Sequence, residues 1–215
     1  MSDTPFLIDG PKRAPVATVA LAHGAGAPMD SPFMEFMATG LAAHKIRVVR
    51  FEFPYMHARR ETDRKKPPDR EPLLRETWLQ VIKQLRKSGP AKNGTLIIGG
   101  KSMGGRIASL IADEANVEGL ICLGYPFHPT GRPEKLRVDH LRELTTPTLI
   151  IQGERDAFGK HEEVQGYKLP KIINVHWLND GDHSFKPRKA SGRTEEQNWD
   201  EAIGVMVGFV EQRLG

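Results

Sequence analysis

Cysteine is almost absent from this 215-residue chain. The single Cys122 sits in the apolar run Leu120-Ile121-Cys122-Leu123, so an intrachain disulfide is excluded and the core must be held by burial. Long hydrophobic runs are missing as well. None approaches the roughly 18 residues of a membrane-spanning helix, and no cationic segment leading into an apolar stretch opens the sequence. No trio of His, Cys or carboxylate residues has metal-ligand spacing. Nor does any helix-turn-helix, zinc-finger pattern or aromatic-interleaved basic stretch convert charge into nucleic-acid recognition. These absences lead us to expect a cytoplasmic protein with no cofactor, no metal, no nucleic-acid partner and no membrane partner.

Hydrophobic residues make up 39% of the chain, enough for one sizeable core, so a single domain over residues 1–215 is expected. Basic residues (31) only slightly outnumber acidic ones (27), and the net charge of +4 mildly favours an anionic small-molecule substrate by long-range attraction. The main departure from interspersed charge is Arg59 to Arg70, which reads as a charged loop stiffened by Pro67-Pro68. A protein partner is left open.

The hydrophobic pattern alternates between short strands and helices. Strands are expected over Pro15–Ala22, Ile46–Phe53, Thr95–Ile98, Leu120–Leu123, Thr148–Ile151 and Ile172–Trp177, and helices over Pro32–His44 and Glu71–Lys87. Ser88-Gly89-Pro90 should stop the second of these helices. A further helix should follow Ser102, and the last should open at Thr194 with Gln197 completing a capping box. Short buried strands separated by helices argue for an α/β/α sandwich on a mainly parallel sheet. The stretch from Gly124 to Pro147 is too short and loop-like for a large cap, so an open site is expected.

Gly100-Lys101-Ser102-Met103-Gly104 satisfies the G-x-S-x-G pattern of a nucleophile elbow, with an apolar strand before it and a helix after it. The glycines are needed because side chains two residues either way from the serine would collide with neighbouring backbone. A phosphate-binding loop is disfavoured, since the glycine it needs five residues before Gly100 is Thr95. A serine hydroxyl needs a base and the base needs an orienting acid. His183, in a loop after the last strand, is the candidate base. Asp156 is the candidate acid, with Glu154, Asp180 and Asp182 as rivals. The order Ser102, Asp156, His183 suits one of the three common serine-hydrolase chain orders and excludes the other two. The oxyanion of a tetrahedral intermediate needs two backbone N–H donors. Met103 should give one, and the turn His23-Gly24-Ala25-Gly26 the other, from Ala25 or the competing Gly26. His23 is expected to brace that turn. Arg64, Lys65, Lys66, Lys101 and Arg106 are candidate substrate-binding cations, although a salt bridge within the fold also suits Arg106.

With these residues in place the chain resembles the α/β-hydrolase superfamily over nearly its whole length. Within it, Gly99-Gly100-Lys101-Ser102-Met103-Gly104-Gly105-Arg106, His23-Gly24-Ala25-Gly26, Phe53-Pro54-Tyr55 and Pro67-Pro68 resemble a small, cap-poor branch. That branch holds testis-expressed-30-like, lysine acetyltransferase 8 complex subunit 3-like and dienelactone-hydrolase-like proteins. The resemblance implies a nucleophile at Ser102, an acid at Asp156, a base at His183 and oxyanion contacts near Ala25 and Met103. It implies hydrolysis of a small carboxylic ester through an acyl-enzyme. The alternatives are acyl transfer, peptidase action, or a non-catalytic interaction scaffold. Lys101 departs from the pattern, since many esterases carry His, Asp or Glu there.

Overall fold

The computed structural model describes residues 4–62, 64, 66–87, 91 and 94–214. Among the described residues, seven strands form one sheet: β1 (Phe6–Asp9), β2 (Thr18–Ala22), β3 (Arg47–Phe51), β4 (Leu96–Lys101), β5 (Gly119–Leu123), β6 (Thr148–Gly153) and β7 (Ile173–Leu178). Their order across the sheet is β1-β3-β2-β4-β5-β6-β7. Every pair is parallel except β1 with β3. β2 to β6 are buried along their whole length, as expected for parallel strands covered on both faces.

Helices α1 (Pro32–Ala43) and α6 (Glu195–Glu211) cover one face, where Met34, Met37 and Leu41 meet Ala202, Met206 and Val210 over Val19, Leu21 and Ile97. Helices α2 (Pro54–Thr62), α3 (Glu71–Lys87) and α4 (Met103–Ser109) lie on the other, where Trp78, Val81 and Leu85 pack on Val49, Phe51 and Ile98. A short α5 (His161–Gln165) follows β6. Each fully buried aliphatic or aromatic side chain contributes roughly 1.5–3 kcal/mol, so these two apolar layers carry the stability that disulfides do not. The result is a three-layer α/β/α sandwich. Between β5 and β6 the chain forms only loop and a short 3-10 turn (Asp139–Arg142), so no cap covers the sheet edge. No described helix is long and apolar enough to cross a membrane.

Several expected boundaries hold closely. α3 spans the anticipated residues, and Thr194 caps α6 by accepting the Gln197 N–H while its own N–H donates to the Gln197 side chain. The anticipated stop at Ser88-Gly89-Pro90 lies outside the described residues. Two elements go beyond the expectation. β1 is an exposed edge strand tied to β3 by Asp9, whose carboxylate accepts two bonds from the buried Arg50. The start of the expected Arg59–Arg70 loop is helical instead, since α2 runs to Thr62 and buries Tyr55 and Met56 beneath a charged surface.

Strand order fixes where a ligand can sit. From β2 the chain steps outward to β3, beside the β1 edge, then crosses back to β4 and steps outward from there to the other edge, so the crossovers diverge between β2 and β4. The loops leaving these adjacent strands part there and open a crevice at their C-terminal ends.

His140, on the 3-10 turn, contacts Ser109 Oγ through Nε2 at 2.8 Å, and burial pushes its pKa down to about 4. An unfolded histidine titrates near 6.5, so below that pH the unfolded chain binds a proton that the folded one refuses until about 4. Stability is therefore lost as pH falls through this window. Calorimetry should show Tm dropping on acidification, with a shallower slope in His140→Gln; equal slopes would contradict the assignment.

Candidate active site

Ser102 occupies the sharp turn between β4 and α4. Its φ of 50° and ψ of −114° are not helical, extended or left-handed helical, a strain of about 1–3 kcal/mol that the surroundings must hold. They hold it by close packing. Gly100 has φ of +154°, and a Cβ there would stand 2.2 Å from the Ala22 carbonyl oxygen. A Cβ on Gly104 would fall 2.5 Å from the His23 carbonyl oxygen. The glycines two residues before and after the serine are thus required by backbone contact, as the motif predicts. The Met103 N–H opens α4 and lacks an intrahelical acceptor.

His183 lies in the loop after β7, and its Nδ1 is 2.8 Å from Asp156 Oδ2. A carboxylate only accepts, so Nδ1 carries the proton and Nε2 is left with its lone pair. Asp156 is fully buried, yet its oxygens are satisfied: Gln152 Nε2 donates to Oδ2 at 2.9 Å and the Phe158 N–H to Oδ1 at 2.9 Å. The rival acids are occupied elsewhere. Glu154 accepts the Asp180 N–H, Asp180 pairs with Arg155 and Arg188, and Asp182 accepts the Ser184 and Lys186 N–H groups. Phe158 lays its ring 4.4 Å from the His183 imidazole. Sequence reasoning missed Gln152 and Phe158. The readable signal for Gln152 was an amide side chain inside the apolar run of β6, four residues before the acid.

The turn after β2 is held by its carbonyls. The Phe53 N–H donates to His23 Nε2 at 3.1 Å, so the His23 proton sits on Nδ1 and donates to the Gly24 oxygen at 2.6 Å. Burial lowers the His23 pKa and keeps the ring in this neutral form. The Tyr55 hydroxyl, 3.3 Å from the Gly24 oxygen and 3.1 Å from the Ala25 oxygen, adds a second clamp. In a planar trans peptide the N–H points opposite to the carbonyl. Fixing those two oxygens therefore fixes the directions of the Ala25 and Gly26 N–H groups. His23 braces the turn as expected; Tyr55 stands in the sequence only as part of a resemblance, and its hydroxyl gives no signal there.

Ser102 and His183 line one cavity of about 430 Å³, together with Gly24, Ala25, Gly26, Phe33 and Phe158. They are not hydrogen-bonded to each other, and contacts of this kind often tighten only in the substrate complex. Lys101 also lines this cavity, 9% exposed, with its ammonium donating to the His183 carbonyl at 2.6 Å. Among the described residues, the other candidate cations do not line it. Arg64 and Lys66 are exposed, and Lys66 lines a separate cavity with Tyr55, Pro67 and Arg70. Lys65 lies outside the described residues. Arg106 pairs with Glu71 at 2.8 Å.

The Ser109–His140 contact beneath α4 is a second serine–histidine pair. The Ser109 hydroxyl donates to the Arg106 carbonyl at 2.7 Å, so in this contact it accepts from His140. Ser109 is buried and His140 half-buried, and neither lines the cavity.

The chain matches the model of the alpha/beta hydrolase domain family over residues 15–211. Among solved structures it is similar to Est1E from Butyrivibrio proteoclasticus, at 16% identity and a TM-score of 0.73, covering 97% of this chain and 93% of that one. An alpha-beta serine hydrolase homologue from Coxiella burnetii matches at 18% identity and a TM-score of 0.71, covering 94% and 89%. The dienelactone hydrolase from Anabaena variabilis matches at 19% identity and 0.69, covering 93% and 88%. The family match spans both the elbow and the histidine loop, and the chain belongs to the α/β-hydrolase superfamily, in a form without a cap.

Proposed function

We propose that this chain is a serine hydrolase that cleaves a small carboxylic ester, with Ser102 as nucleophile, His183 as base and Asp156 as orienting acid. The observation that carries this reading is the Asp156–His183 bond at the wall of the same cavity that exposes Ser102. With Nδ1 committed to Asp156, Nε2 is the atom left to take the Ser102 proton. The alkoxide oxygen attacks the ester carbonyl, and the resulting oxyanion is met by the Met103 N–H and by that of Ala25 or Gly26. Collapse expels the alcohol, which takes the proton back from His183. Water deprotonated by the same imidazole then attacks the acyl-enzyme, releasing the acid and restoring Ser102.

A cavity of about 430 Å³ suits a small acyl group. Est1E has also been solved with ferulic acid bound, which fits an aromatic or short acyl substrate on this cap-free frame. Within the superfamily we assign the chain to the cap-poor branch that its motifs resemble, including the testis-expressed-30-like and dienelactone-hydrolase-like proteins. The lone buried cysteine suits a reducing compartment, and we assign the protein to the cytoplasm as a single domain. In this reading Arg64 and Lys66 attract anionic substrates by long-range attraction.

Three outcomes follow. Ser102→Ala should lower hydrolysis of activated short-chain esters by at least about 10³-fold, whereas Ser109→Ala should leave it within about threefold. Loss in Ser109→Ala alone would move the nucleophile to the Ser109–His140 pair. Tyr55→Phe should cut kcat about tenfold with little change in KM, because it loosens the Gly24 and Ala25 carbonyls rather than deleting a donor. An unchanged kcat would remove Tyr55 from the oxyanion turn. Charge reversal of Arg64 and Lys66 should raise KM several-fold for carboxylate-bearing esters at low salt and leave neutral ones alone; equal effects on both would end the steering role.

A further inference from the structure

The elbow and the histidine loop are separated by most of the C-terminal half of the chain, yet one polar contact bridges them. Lys101 Nζ donates to the His183 carbonyl oxygen at 2.6 Å. Lys101 is covalently joined to Ser102, so this contact ties the backbone of the candidate base to the residue beside the candidate nucleophile. The surroundings of the ammonium are tightly built. From α1 it is faced by the Phe33 ring at 5.6 Å, and from the histidine loop by the Phe185 ring at 5.9 Å. At the end of β5, a Cβ on Gly124 would stand 2.8 Å from Nζ and 3.2 Å from His183 Nδ1, so these groups share one small space. The charged groups facing the ammonium are Asp156, from the loop after β6, and Asp182, from the histidine loop.

Packing does not account for a lysine here. Burying an ammonium costs several kcal/mol even after relaxation, and methionine would fill a similar volume at less cost. What the ammonium supplies and methionine does not is a charge-assisted bond to one carbonyl and a positive charge opposite two carboxylates. Both act on the loop that carries His183.

We propose that Lys101 is a positioning residue, whose ammonium holds the His183 carbonyl against the end of β4 and so fixes where the imidazole stands relative to Ser102. The inference rests on the proposed Ser102–His183–Asp156 reading. Misplacing a reacting group by about 1 Å costs on the order of 100-fold in rate, so a clamp of this kind acts on kcat rather than on substrate binding. Burial pushes the Lys101 pKa down to about 8, against the attraction of Asp156 and Asp182. Above that pH the amine still donates, but without charge assistance the bond is roughly half as strong. The clamp therefore weakens as pH rises through about 8, and kcat falls with it.

The test compares the wild type with Lys101→Met and Lys101→Arg on an activated short-chain ester across about pH 6–10, with hydrogen exchange followed over residues 179–188. We expect Lys101→Met to lose about 30-fold in kcat with KM within about twofold, and to lack the alkaline fall centred near pH 8. Arginine keeps its charge throughout this range, so Lys101→Arg should recover most of kcat and hold it to the alkaline end. Residues 179–188 should exchange faster in Lys101→Met than in the wild type, and Lys101→Arg should restore their protection. The inference is overturned if kcat in Lys101→Met stays within about threefold of wild type, if all three proteins share one alkaline limb, or if exchange in this segment does not change. If Ser102→Ala keeps full activity the triad reading fails instead, and the exchange result alone decides whether Lys101 clamps the loop.

Discussion

The bond between Asp156 and His183 is the interaction on which the rest of the site depends. A carboxylate buried to this degree is costly unless its oxygens are paired, and here Gln152, the Phe158 N–H and His183 pair them. The arrangement fixes the imidazole tautomer and leaves Nε2 as the free basic atom beside the cavity. Gln152 is itself anchored, accepting the Tyr125 N–H at 2.7 Å, so the chain of support runs from the end of β5 through β6 to the loop after β7. The Asp156–His183 pair is therefore built into the sheet edge.

The same edge holds the other two parts of the site, for a steric reason. β2 and β4 are neighbours, and the loops leaving them part where the sheet topology switches direction. Gly100 and Gly104 let the elbow settle against Ala22 and His23 at distances no side chain would permit. That contact sets the strained serine beside the turn whose carbonyls His23 and Tyr55 hold. Ser102 and the turn after β2 are thus positioned by one backbone contact, while the histidine loop is tied in by Lys101.

Much of this was legible in the sequence because it rests on local chemistry. Glycines flanking Ser102 encode a turn, Thr194 and Gln197 encode a helix start, and apolar runs such as Leu149-Ile150-Ile151 encode buried strands. β1 was not legible, because Phe6–Asp9 becomes a strand only through pairing with β3 and the Asp9–Arg50 contact, both made far along the chain. α2 reads as loop in the sequence because its charged residues outweigh the two it buries, although Pro54 at its first position is a usable signal. At the candidate site, motif and chain order alone point to Ser102, Asp156 and His183. The parts played by Tyr55, Gln152 and Phe158 depend on which strand ends adjoin, and composition does not carry that information.

In the proposed reading Ser102, and no other serine, is made reactive by this arrangement. The most direct measurement is covalent capture: incubation of the folded protein with a serine-directed organophosphonate, followed by mass spectrometry of the intact chain and its peptides. One adduct per chain is expected, on the peptide containing Ser102. An adduct on Ser109, or no adduct on a correctly folded protein, would contradict this reading.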